Sequence, residues 1–321
     1  MQLVMLAAGL GKRFGGCKPL APVGPGGEAL MDITASDASM AGFDSIVLIT
    51  GPITGPAIRY HVERRWKGKI DVRIARQEVP LGTAHAIVCA GDLLDGQGPF
   101  SIVNGDDIYG VEALRTLYEH LSTHNTDCLV AFALRNTITT DAPVTRGICV
   151  SDGAGKLSSI TERRLISRTA DGRYLSDDGL EPSTLDPDVP VSVNLWGFQQ
   201  DMLAELSAIV NSRRTSLEDG QEILLPEVVA DMLAGETQTF GTVGTVSTPQ
   251  ESMTLSDTHV QPDASSLNPK QQVAHTFEML AGTGRCIGVT HAADLEIVTA
   301  MLQSMIATGE RPAALWARQC N

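Results

Sequence analysis

The chain opens on QLVMLAAGLGKRFGGCKPL (residues 2–20), an apolar run that stops in glycine and carries Arg13 and Lys18 on the turn that follows. Short, apolar and halted by glycine, residues 2–7 predict a buried strand. Such a strand, ending in a glycine-rich turn, exposes backbone N–H groups at the carboxyl edge of its sheet, where α/β sheets take their ligands.

The same reading extends outward. Strands are predicted over 45–50, 70–75, 100–103 and 127–134, with helices over 29–42, 54–66, 83–90 and 111–124 between them. This alternation predicts an α/β fold with a Rossmann-like, mixed but mostly parallel sheet flanked by helices. After residue 142 the rhythm changes. Strands over 147–151, 157–162 and 189–198 follow without intervening helices, which predicts an antiparallel patch. The segment 167–190, rich in Asp, Gly, Ser and Pro, reads as an exposed loop. Helices over 200–211, 222–233 and 292–308 and strands over 237–246 and 287–290 complete a single domain, 1–321. Residues 247–283 are polar and proline-interrupted, periodic only around 271–280, and read as an insertion or flexible flap. No internal repeat occurs, and the C-terminus lacks the hexapeptide pattern of a β-helix.

With 38 acidic residues against 24 basic ones, a formal net charge of −14, the chain is a poor partner for nucleic acid or an anionic membrane. An anionic ligand must therefore be met by a local cluster of cations. Apolar residues at 43% and charged ones at 19% suit a soluble globular protein. Cys17, Cys89, Cys128, Cys149, Cys286 and Cys320 form no CxxC pair, the start MQLVMLAAG has no basic flank, and no window approaches a membrane span. The expectation is a reduced, cytoplasmic protein, and a homo-oligomer is compatible with the chain.

Glycine lets a bare backbone approach phosphate oxygens, while Arg13 would give forked contacts and Lys18 a point charge. Two familiar phosphate loops are excluded by spelling. Gly11-Lys12 is followed by Arg13 where a Walker A loop needs Ser or Thr, and Phe14 sits where a dinucleotide fingerprint needs a small residue. By itself the loop is equally compatible with a tight turn bearing solvated cations. His120 and His124 stand four apart on a predicted helix, without a third ligand, and read as a solvated face. Cys17 reads as a packed small side chain.

The remaining motifs break the tie. LAAGLGKRFGG-KPL resembles the signature loop of the sugar-phosphate nucleotidylyltransferases. The likeness continues through VGPGGEALMDITASDASMAGF (23–43), QEVPLGTAHAI (77–87), IVNGDDIYG (102–110), ITER (160–163) and VSVNLWGF (191–198), then EILLPEVV (222–229), GVTHAADL (288–295) and GERPAALW (309–316). The resemblance implies the nucleotide-diphospho-sugar transferase fold. It also implies Mg²⁺-dependent transfer of a nucleotidyl group from a nucleoside triphosphate, UTP or dTTP favoured, to a sugar 1-phosphate.

The roles it implies fall as follows. Arg13, Lys18 and Asp106 are catalytic, with Asp106 holding Mg²⁺; a turn or cap role is the plain alternative for the Asp106-Asp107 pair. Leu6, Ala7, Ala8, Gly9, Gly11, Gln77, Pro80, Gly82 and Thr83 bind the nucleotide, the Gln77 amide offering donor and acceptor together to an imide edge. Gly147, Glu162, Arg163 and Asn194 bind the sugar phosphate. One departure stands out: the segment 282–287 lacks the acid and tryptophan expected before the GVT motif. Asp257 or Asp263 could substitute; otherwise the chain would be a degenerate nucleotide-sugar sensor. A transferase acting on a phospho-alcohol is the further alternative, disfavoured by Glu162 and Asn194, which suit ring hydroxyls.

Overall fold

The computed structural model describes residues 1–235, other than 10, 12, 95, 141 and 219, and residues 275–316. The first half is β1 (Gln2–Ala7), α1 (Leu30–Ala41), β2 (Ser45–Thr50), α2 (Gly55–Arg65), β3 (Asp71–Arg76), α3 (Thr83–Cys89), the single turn α4 (Gly91–Leu94), β4 (Phe100–Asn104), β5 (Asp107–Ile108), α5 (Val111–Thr123) and β6 (Asp127–Ala133). It follows the predicted alternation. Along β1, Leu3, Met5 and Ala7 enter one buried cluster while Val4 enters another. Helices cover both faces, so the strand is apolar at every position after Gln2 and shows no alternation in sequence.

Strands β1, β2 and β3 are parallel, and β4 joins β1 in parallel on its other edge. The order β4-β1-β2-β3 therefore reverses direction at β1 and β4. In open α/β sheets the crevice for ligands lies at such a reversal, beyond the carboxyl ends of the two strands. The glycine loop leaves β1 there and the Asp106-Asp107 pair leaves β4 there.

The second half is β7 (Val144–Ser151), β8 (Leu157–Arg168), β9 (Tyr174–Ser176), β10 (Thr184–Leu185), β11 (Pro190–Ser192), β12 (Trp196–Phe198), α6 (Met202–Arg214), α7 (Leu225–Ala234), β13 (Phe277–Ala281), β14 (Ile287–Gly288) and α8 (Asp294–Ala307). The expected antiparallel patch is present: β7 pairs antiparallel with β8 and β11, and β12 inserts antiparallel between β4 and β6.

Three expectations are corrected. The single strand over 189–198 is two, because Asn194 takes a left-handed conformation (φ 61°) that breaks it. The loop over 167–190 contains β9 and β10. The flap predicted over 247–283 ends inside the sheet, since β13 runs parallel to β6 from Phe277↔Asp127 to Ala281↔Ala131. The rest of that flap up to 274, with Asp257 and Asp263, and the strand expected over 237–246 lie outside the described residues. Among the described residues no helix is long and apolar enough to cross a membrane.

Candidate active site

Gly105 seats the tip of β4 against β1. Its N–H donates to Leu6 O at 2.8 Å, and a Cβ there would lie 3.0 Å from the same oxygen. Asp106 follows at the end of the strand, and Lys18 reaches across from the loop to place Nζ 2.7 Å from Asp106 Oδ2. Burial works against the Lys18 ammonium, but the Asp106 and Asp107 carboxylates more than reverse this, so its pKa lies above the ordinary lysine value. Asp107 turns inward. It accepts from Asn104 Nδ2 at 2.8 Å, and burial, reinforced by the Asp106 charge, raises its pKa against the pull of Lys18 and Arg146. Strand β14 pairs with β5 and sets Gly288 so close to Asp107 Oδ1 that a side chain there would strike it. The GVT motif thus contributes a bare backbone.

Two clefts meet at Lys18, Asn104 and Asp106. Leu6, Ala8, Gly9 and Gly11 line the first from the β1 loop, and Gln77, Pro80, Gly82 and Thr83 face them from the segment leading into α3. Eight of the nine predicted nucleotide-binding residues thus share one wall system. Ala7 does not: it is 2% exposed, and its carbonyl accepts from Thr54 Oγ1. Arg13 lines the second cleft with Arg146, Thr137 and Thr290. The clefts measure about 210 and 170 Å³, each below the roughly 300–1,000 Å³ of a typical small-molecule pocket, and they share Lys18, Asn104 and Asp106.

The Gln77 amide is more committed than its sequence context shows. Its NH₂ contacts Gly82 O and His85 Nδ1, both at 3.0 Å, so both donors are engaged within the protein and only the carbonyl oxygen is left for a ligand. Gly82 holds φ 98°, and a Cβ there would lie 2.5 Å from Ile223 O.

The sheet register brings together two of the four acceptor candidates, Gly147 and Glu162, and none of the four lines either cleft. Gly147 pairs with Glu162 on one side and Ser192 on the other, and Asn194 reaches Asn104 Oδ1 through Nδ2 at 3.4 Å. The Oδ1 of Asn194 is buried without a partner. Burial raises the Glu162 pKa, helped by the Glu227 charge and opposed by Arg164 and Arg146.

Arg163 is the correction. Successive residues on a strand face opposite ways, so Arg163 points away from the side that Glu162 occupies. Its Nε and Nη2 bind the Asp178 carboxylate at 2.7 and 3.0 Å, and further bonds run to Leu180 O and Pro182 O. The guanidinium side chain is 5% exposed and locks the β8–β10 wing.

The histidine pair takes no metal-site form. The His120 and His124 rings stack at 4.6 Å, and no group of three or more His, Cys, Asp or Glu side chains suited to a metal occurs among the described residues. Cys17 packs against the core cluster that holds Leu3 and Met5, and burial raises its thiol pKa. Sequence reading missed Asn104, Arg146 and Glu222, all cleft residues. Asn104 and Glu222 lie within quoted motifs and Arg146 adjoins Gly147, but none is a glycine or one of paired acids, the features that mark those stretches.

A crevice at a sheet reversal, beyond the carboxyl ends of two parallel strands, is where an open α/β sheet takes its ligands, and here a paired cation and carboxylate line it. The chain belongs to the nucleotidyl transferase family, whose model matches residues 2–235. Among similar proteins is the bifunctional protein GlmU of Cupriavidus metallidurans, 29% identical over 167 residues, which are 51% of this chain and 34% of that protein. GlmU of Geotalea uraniireducens is 33% identical over 168 residues, 50% of this chain and 34% of that one. The aligned stretch thus spans about a third of these curated relatives. A crystal structure from Bacillus anthracis, of a protein assigned as a glucose-1-phosphate thymidylyltransferase and holding sucrose, has the same fold. It aligns with TM-score 0.61 at 12% identity, over 94% of this chain and 95% of that one.

Proposed function

We propose that the protein transfers a nucleotidyl group from a nucleoside triphosphate, UTP or dTTP, to a sugar 1-phosphate, giving a nucleotide sugar and pyrophosphate. The observation that carries this reading is the Lys18–Asp106 pair at the junction of the two clefts. One cleft offers Gln77 and a bare Gly82 backbone to a base, and the other offers Arg13 and hydroxyls to phosphates.

The acceptor phosphate is already an anionic nucleophile, so no general base is needed. Its oxygen bonds to the α-phosphorus as the bond from that phosphorus to the bridging oxygen of the β-phosphate breaks, and pyrophosphate leaves. The obstacle is repulsion between two polyanions, and Arg13, Lys18 and the loop N–H groups offset it from fixed positions. The orphaned Oδ1 of Asn194 suits a sugar hydroxyl donor, and Glu162 suits a second one.

The donor set fits a magnesium ion that takes few protein ligands. Asp106 is a hard oxygen donor whose side chain is 30% exposed, and Mg²⁺ is commonly held by one or two carboxylates plus substrate phosphates. Asp106 would hold it, and the ion, when bound, would supply positive charge against the charge developing on the phosphates.

Screening triphosphates against sugar 1-phosphates with Mg²⁺, by pyrophosphate release, tests the reading. Turnover with a uridine or thymidine donor is the expected result. Nucleotide binding without turnover in either direction would favour the sensor, to which the acid-free segment 282–287 already points.

A further inference from the structure

We propose that Arg146 is a phosphate-binding residue of the second cleft, a role that rests on the transfer reaction proposed above. Arg146 pairs directly with Arg163 across β7 and β8, but the two guanidinium groups meet opposite fates. Arg163 is consumed by Asp178 and two carbonyls. Arg146 is held by neutral groups: Nε donates to Thr137 Oγ1 at 3.0 Å, Nη2 to Thr137 O at 2.8 Å, and Nη1 to Thr145 O at 2.8 Å. Those bonds fix the plane of the fork and leave an N–H on each terminal nitrogen uncommitted among the described residues.

No carboxylate ion-pairs with Arg146 among the described residues. The Asp106 charge is met by Lys18, and Asp107, whose field does reach Arg146, is bonded by Asn104. The cleft therefore gathers Arg13, Lys18 and Arg146, with Thr137 and Thr290 on its walls, in a chain of formal net charge −14. A preorganised guanidinium without an ion-pair partner, set among hydroxyls, two other cations and the already bonded Asp106 and Asp107 carboxylates, recognises a phosphate oxyanion by forked, charge-assisted bonds. Two phosphates of the reaction fit that chemistry: the pair leaving as pyrophosphate, and the phosphate entering on the acceptor.

The test compares wild type with Arg146→Gln and Arg146→Lys in both reaction directions. The expected result is that Arg146→Gln raises a phosphate KM about ten- to a hundredfold, with Arg146→Lys recovering part of the loss. A rise in the pyrophosphate KM of the reverse reaction assigns the leaving group, and a rise in the acceptor KM of the forward reaction assigns the entering one. Either supports the inference. If both KM values match wild type, it is overturned.

Calorimetric titration with inorganic pyrophosphate and Mg²⁺ gives an arm that needs no turnover. Binding by wild type that is weakened in Arg146→Gln supports the inference, as does weakened binding of glucose 1-phosphate, the acceptor-side probe titrated in parallel; affinities equal to wild type for both ligands, or binding of neither by wild type, overturn it. A chain without activity on any substrate pair would defeat the proposed reaction yet leave this arm readable. Circular dichroism checks folding, and Arg146→Lys serves if Arg146→Gln does not fold.

Discussion

Nζ of Lys18 lies 2.7 Å from Oδ2 of Asp106, joining the loop after β1 to the tip of β4 across the sheet's reversal point. The contact mates the two elements that the ligand must bridge. It also leaves Asp106 neutralised without burying it, so the carboxylate stays accessible to an incoming cation or phosphate-bound ion.

Replacing Asp106 by Asn preserves shape and removes the charge. Turnover should fall at least about a hundredfold, because charge-stabilising groups at such sites typically contribute several kcal/mol to the transition state. The melting temperature should stay near wild type, since Asp106 is not part of the packed core. Loss of both folding and activity would show that the pair is structural.

With the NH₂ of Gln77 held by Gly82 and His85, the proposed base cleft offers only an acceptor from this residue. It can take the N–H of a uracil or thymine imide, whereas adenine and cytosine present an acceptor at the matching ring nitrogen. Uridine and thymidine triphosphates should therefore outcompete adenosine and cytidine triphosphates, and Gln77→Ala should cut that ratio of kcat/KM by about tenfold. An unchanged ratio would remove Gln77 from base selection.

At Gly82 a methyl group would meet the backbone of Ile223, which has no flexible end to move aside. The positive φ adds strain for any L side chain. Gly82→Ala should lower the melting temperature and raise the triphosphate KM together. A rise in KM alone would mean that the loop, and not the packing, absorbs the change.

Asp127, at the start of β6, provides a pH signature away from the site. Burial raises its pKa to about 7, with Asp201 and Glu205 adding to the rise and the Gln199 N–H opposing it. A carboxyl with a raised folded pKa stabilises fully below its unfolded value near 4 and loses that contribution as pH climbs to about 7. Asp127→Asn keeps the acceptor for Gln199 and cannot ionise, so its melting temperature relative to wild type should rise from pH 4 to pH 8. A difference that stays flat over this window would contradict the shift.

Continuous apolar runs made β1 and β2 legible to the residue, because a strand covered on both faces needs no polar position. The break at Asn194 was not legible, since a left-handed Asn looks like any other residue in an apolar stretch. Short β9 and β10 hide in polar sequence because they are held by β8 and by Arg163 and carry few core side chains of their own. The lining of the candidate cleft was legible where a glycine loop or an acid pair ends a strand, as at Gly82, Lys18 and Asp106. Legibility failed at Arg163, whose guanidinium is already held by Asp178 and two backbone carbonyls. The fork of Arg146 became visible only once Thr137 was seen to hold it.

The base-cleft segment is bonded to the strand-like run before α7: Ile223 N–H to Leu81 O at 2.8 Å, Ala84 N–H to Ile223 O at 3.0 Å, and Leu225 N–H to Thr83 Oγ1 at 2.8 Å. Chain segments about 140 residues apart thus form one hydrogen-bonded panel. Grafting a relative's equivalent of residues 77–87 into this protein would require moving both strips of the panel. A transplant of residues 77–87 alone would leave the graft without the backing that sets its shape.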